Sequence, residues 1–160
     1  MYMDNVWEIA KNMESEGVKY YTNLAEGTEN DELSGVFHFL AKQEEEHRKF
    51  FESLQNRIAI SFSQTDDPVK VAQETFKKIA PTFKTTDKTS DALEAYQTAI
   101  VLERKAVEYY SSLLDQTESA EEKKILQIVI NEEKKHESTM ESIIEFINRP
   151  NEWLEDAEID

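Results

Sequence analysis

The stretch KQEEEHRKFF, Lys42 to Phe51, decides the fold. Reading outward from it in steps of three and four gives Leu33, Phe37, Leu40, Glu44, His47, Phe51, Leu54 and Ile58. That spacing places all of them on one face of a helix. Glu44 and His47, one turn apart, are the two polar members of an otherwise apolar stripe. A helix that seats this face in a core must bury a carboxylate and an imidazole with it.

The same interruption recurs in three other segments. A first helix, predicted from about Asp4 to Glu26, carries Met3, Trp7, Ala10, Glu14, Gly17, Tyr21 and Leu24. The second, already quoted, runs from near Asn30 to near Ile58. A third begins near Ser90 on Ala92, Tyr96, Ala99, Glu103, Ala106, Tyr110 and Leu113. The fourth follows Ser119 on Leu126, Val129, Glu133, His136, Met140, Ile143 and Ile147, with Pro150 just beyond. Ser119 and Glu122 have the spacing of a capping box.

Short joints at GTEND and QTESA predict two antiparallel hairpins. Between them, Asp67-Pro68 reads as an N-cap with proline at the first helical position. This opens a short helix ending near Pro81, and TFKTTDKTSD then reads as loop. Four helices of about 25 residues, each roughly 38 Å long, with one long crossover, predict an all-α, ferritin-like four-helix bundle. It occupies residues 1–150, and 151–160 form an acidic tail whose Trp153 and Leu154 could dock on the bundle or on a partner.

The halves repeat at an offset of 89 positions. Ala10 meets Ala99, Glu14 meets Glu103, Tyr20-Tyr21 meet Tyr109-Tyr110, and Glu44 and His47 meet Glu133 and His136. Two hairpins related by a pseudo-two-fold axis follow.

Composition agrees and excludes. A chain of 160 residues suits one domain that buries roughly two-thirds of its unfolded surface. Three Gly and three Pro are few, as long helices require. A formal charge of −16 argues against nucleic acid or an anionic membrane as partner. The absence of Cys removes disulfides, thiolate metal sites and a thiol nucleophile. MYMDNVWEIAKNM lacks the basic start and apolar run of a signal peptide, and no segment approaches the roughly 18 apolar residues of a membrane span. A cytoplasmic protein is expected.

Each hairpin thus contributes one lone Glu and one Glu-x-x-His pair, an arrangement suited to a di-metal carboxylate site. Glu14, Glu44, His47, Glu103, Glu133 and His136 are the candidate metal ligands. Unpartnered carboxylates in a core would cost several kcal/mol apiece or take up protons. Two divalent ions would neutralise four of them, and no Lys or Arg falls on the stripes at this level. Oxygen and imidazole donors without sulfur suit iron or manganese, and also zinc.

On MESEGVKYY, EEEH, LERKAVEYY and EEKKH the chain resembles the rubrerythrin branch of the ferritin-like superfamily, across all four helices. The resemblance implies that the six residues hold two iron ions, with Glu44 and Glu133 bridging. Rubrerythrins proper also carry a Cys-rich rubredoxin domain that feeds electrons to the site, and a further Glu ligand one turn after the third-helix Glu. Here there is no Cys, and Ala106, repeat mate of Gly17, stands at that second position. A separate donor, rubredoxin-like or a flavoprotein, is therefore expected, at a plainer and more symmetric site.

Gly17 and Ala106 either leave room for dioxygen or peroxide or permit close helix packing. Tyr21 and Tyr110 either hydrogen-bond to ligands, act as redox groups, or simply pack. His38 lies off the stripe and reads as a surface residue. The leading expectation is a di-iron oxidoreductase reducing hydrogen peroxide or oxygen, in oxidative-stress defence. The alternatives are a ferroxidase that handles iron without turnover, and a bundle whose metal pair is purely structural. A homodimer is expected, since long bundles pair through an outer face.

Overall fold

The computed structural model describes residues 2–57, 66–83 and 90–150. The helices are α1 (Tyr2–Gly27), α2 (Asp31–Gln55), α3 (Pro68–Ile79), α4 (Ser90–Gln116) and α5 (Ala120–Asn148), with a 3-10 turn at Ala80–Thr82. There is no strand among the described residues. The Met3 side chain, Ile58, most of TFKTTDKTSD and the 151–160 tail lie outside them.

Capping side chains start the helices where the sequence places them. Asn30 Oδ1 accepts from the Leu33 N–H at 2.9 Å, and Ser119 Oγ accepts from the Glu122 N–H at 3.3 Å. Asn30 and Ser119 are themselves repeat mates. Asp67 caps α3 through the Val69 N–H at 3.0 Å, with Pro68 next in line. Two local expectations change. Only half of the capping box at Ser119 forms, because the Glu122 carboxylate accepts from the Thr117 hydroxyl at 2.5 Å instead of the Ser119 N–H. The second helix ends at Gln55, short of Ile58. Arg57 has a φ of 55°, and that left-handed residue stops the helical ladder.

α1 pairs with α2 and α4 with α5, and the two hairpins meet with α1 beside α4 and α2 beside α5. The crossover lays α3 across α2 and α5. This is a ferritin-like helical bundle. Its interior holds two apolar clusters. One contains Tyr21, Phe37, Leu40, Phe76, Met140 and Phe146; the other contains Trp7, Phe51, Tyr110, Leu126 and Val129. The polar members of the four stripes fall between them, so the site lies midway along the bundle, closed off by apolar packing toward both ends.

α3 joins the first cluster through Phe76, which is fully buried and stacks on Phe146 with ring centroids 4.6 Å apart. Phe76→Ala should therefore cost about 3 to 5 kcal/mol in denaturant unfolding. A loss below about 1 kcal/mol would show that the crossover helix merely rests on the bundle.

Candidate metal centre

Glu14, Glu44, His47, Glu103, Glu133 and His136 are all buried, each at most 5% exposed. They come from four helices: Glu14 from α1, Glu44 and His47 from α2, Glu103 from α4, and Glu133 and His136 from α5. They converge as two overlapping groups. Glu14, Glu44, His47 and Glu133 form one, and Glu44, Glu103, Glu133 and His136 form the other. Within each group the donor atoms lie within 4.8 Å of one another. Glu44 and Glu133 belong to both groups, so they stand where bridging carboxylates between two ions would be needed.

The contacts obey the repeat. His47 Nδ1 lies 2.7 Å from Glu133 Oε1 and 3.5 Å from Glu14 Oε1. His136 Nδ1 lies 2.7 Å from Glu44 Oε1 and 3.4 Å from Glu103 Oε1. The tyrosines cross between hairpins: Tyr21 donates to Glu103 Oε1 at 2.6 Å, and Tyr110 donates to Glu14 Oε1 at 3.1 Å. Each phenol thus holds the lone carboxyl of the opposite hairpin. Tyr20 instead donates to the Ala95 carbonyl at 2.6 Å, tying α1 to α4 outside the cluster. His38 is exposed, as its place off the stripe requires.

Two contacts were not anticipated from the sequence. Outward from the cluster, His136 Nε2 lies 2.8 Å from Gln43 Oε1, and His47 Nε2 hydrogen-bonds Glu132 Oε2. Gln43 and Glu132 are repeat mates, each immediately before a shared Glu. The signal was a polar residue at matching positions in both halves; it was hidden because neither residue lies on the strict stripe.

Packing these groups together without ions shifts their protonation. Burial, then the neighbouring Glu133 and Glu44 charges, holds the Glu14 carboxyl well above its usual range. Burial and Glu133 push Glu103 up to about 8. Burial opposes charge on His136, yet hydrogen bonds and charge from Glu103 and Glu44 raise it to about 10. Burial likewise opposes charge on His47, which Glu14, Glu132 and Glu133 raise well above 6.5. Tyr21 and Tyr110 are raised by burial and by the same carboxylates, which keeps them as hydrogen-bond donors.

The cluster fits a pair of divalent cations. Glu103 Oε2 is buried with no hydrogen-bond partner, a lone pair that metal-free packing leaves unused. Burial is the largest influence on both lone carboxyls, and the charged neighbours that follow it are the shared carboxylates and the imidazoles. Hard carboxylate oxygens and imidazole nitrogens form the donor set of iron, manganese or zinc.

Gly17 and Ala106 both line a cavity of about 370 Å³ that opens between α1 and α4 and reaches Glu14, Glu44, Glu103 and Glu133. Gly17 has a second constraint. A Cβ there would lie 2.7 Å from Glu44 Oε2, so the space that its missing side chain leaves is taken by the Glu44 carboxylate. The close contact at Gly17 is thus with a carboxylate of α2 and not with the backbone of a packed helix.

The protonation pattern predicts how the metal-free protein responds to pH. Raised carboxyl and imidazole pKa values mean that the folded chain keeps protons that the unfolded chain has released. For Glu103 this window runs from 4.5 to about 8, and for His136 from 6.5 to about 10. The stabilisation is complete below each lower value and is lost as pH rises through the upper one. Metal-free protein should therefore melt at a higher temperature near pH 5 than near pH 9. Divalent ions, which displace those protons, should reverse that order. A metal-free melting temperature that rises across this range in calorimetry would contradict the protonated cluster.

Comparison with known proteins agrees with this architecture. None of the curated proteins matches the chain. A solved structure described as a hypothetical protein from Pyrococcus furiosus shares the fold, with a TM-score of 0.70 at 18% identity, over 92% of this chain and 90% of that one. The family model described as Rubrerythrin matches residues 5–144, nearly the whole helical region. With its two carboxylate-histidine hairpins and its crossover helix, the chain belongs to the rubrerythrin family.

Proposed function

We propose that the chain is a di-iron oxidoreductase that reduces hydrogen peroxide or dioxygen with electrons from a separate donor. One observation carries this reading: two four-residue donor groups share Glu44 and Glu133, and a cavity reaches both of them from the surface. Glu14 and His47 would hold one ion, Glu103 and His136 the other, with Glu44 and Glu133 between. When bound, an iron pair supplies the two electrons that convert one hydrogen peroxide and two protons to two waters.

The chain's own residues set the conditions for that chemistry. Tyr21 and Tyr110 fix the lone carboxyls through hydrogen bonds from the opposite hairpin. The two apolar clusters keep bulk water away from either end of the site. Ile9, Met13, Leu102 and Ala106 give the cavity an apolar wall, so a small neutral oxidant can approach the carboxylates while hydrated ions are disfavoured. With no Cys in the chain, the electrons would come from a rubredoxin-like protein or a flavoprotein docking on the bundle. We place the protein, as a homodimer, in cytoplasmic defence against oxidative stress. No helix among the described residues is long and apolar enough to cross a membrane.

Anaerobic ferrous titration followed by peroxide and a reductant tests the proposal. Two irons per chain, an oxo-bridged ferric absorption and repeated loss of peroxide are expected. Stoichiometric iron oxidation within a very large particle would instead identify an iron-storing protein, and inert bound zinc a structural metal pair. Ala106→Leu should fill the cavity and slow oxidation by about tenfold or more with iron content unchanged; an unaltered rate would exclude this route to the site.

A further inference from the structure

The two imidazoles are held from behind by chemically different groups. His136 Nε2 faces Gln43 Oε1 at 2.8 Å, and the Gln43 amide has its orientation set by a third group. Gln43 Nε2 donates to the Asp66 carbonyl at 3.1 Å, which leaves the amide oxygen facing the ring. An amide oxygen only accepts, so His136 Nε2 carries a hydrogen. Nδ1 is then the nitrogen whose lone pair serves an ion once its own proton is displaced. His47 has the same geometry, but Glu132 stands where Gln43 would be. Its acceptor is a part-exposed carboxylate, whereas Gln43 is buried.

A carboxylate behind a metal-bound imidazole makes the ring more basic than a neutral amide acceptor does, and it adds negative charge near the ion. The donors in front of the rings do not differ in kind: each position has one lone Glu, both shared Glu and one His. Gly17 and Ala106 also differ between the halves, but neither carries charge or a side-chain donor.

We propose that Gln43 and Glu132 are positioning residues that make the two metal positions unequal. The position built on Glu14 and His47 binds its ion more tightly and fills first; the position built on Glu103 and His136 fills second and exchanges more readily. This rests on the reading that the six residues hold a metal pair. It implies a distinct one-ion state and gives the second position the role of the exchangeable ion.

Cobalt(II) titration of the full chain, followed by visible absorption against a competing chelator, tests this without any turnover. Wild type should bind two ions in steps separated by about tenfold or more in affinity. Glu132→Gln should weaken the first step and draw the two together. Gln43→Glu should tighten the second. The double exchange should invert the order, so that anomalous scattering at one equivalent of cobalt finds the ion beside His136 instead of His47. Equal steps in wild type, or unequal steps unchanged in both single variants, would overturn the inequality while leaving the metal pair standing. Wild-type protein that takes up no cobalt would overturn the metal-pair reading and this one with it.

Discussion

Charge placed midway along an apolar interior is the constraint that organises this protein. Four carboxyl groups and two imidazoles lie at one level of the bundle, with apolar clusters toward both ends. In a medium of low dielectric, isolated charges of this kind cost several kcal/mol each. The metal-free chain answers by keeping protons on Glu14, Glu103, His47 and His136 where an exposed chain would release some of them. That answer remains incomplete, since Glu103 Oε2 finds no partner. The surrounding architecture holds these groups close enough for cations to replace the protons.

The repeat accounts for much of that architecture. Each hairpin contributes a lone Glu, a Glu-x-x-His pair and a Tyr, and each Tyr reaches across to the other hairpin's lone Glu. Neither hairpin contains a complete site, so the polar groups are satisfied only when the two hairpins pack. Each of the two donor groups draws on both hairpins, so the cluster exists only where they pack together.

The crossover breaks the symmetry because it occurs once. It places α3 against α2 and α5, and just before α3 it brings the Asp66 carbonyl to the Gln43 amide. Gln43 thus has a fixed orientation that a carboxylate at that position could not obtain from the same carbonyl. Its repeat mate Glu132 is part-exposed and meets His47 as a charged acceptor. On the open side between α1 and α4, small residues at 17 and 106 border the cavity that leads to the carboxylates. Membership of the rubrerythrin family accounts for the shared bundle, and Ala106 contributes to the wall of that cavity.

The helices, their pairing and the six inward-facing residues were legible in the sequence because helical periodicity is local. Glu44 and His47 must share a face whatever the rest of the chain does, and the repeat carries the same rule to Glu133 and His136. The end of α2 at Arg57 and the half-formed capping box at Ser119 needed backbone geometry that residue types alone leave open. The partners behind the imidazoles needed more. Gln43 and Glu132 lie beside the stripe, and their role depends on how α2 faces α5 across the core. The Gly17 position is similar, since only packing shows that the Glu44 carboxylate occupies its missing Cβ space. Periodicity therefore determined which groups point inward, whereas distances between helices decided which group meets which, because side-chain contacts across a core depend on packing that no single helix contains.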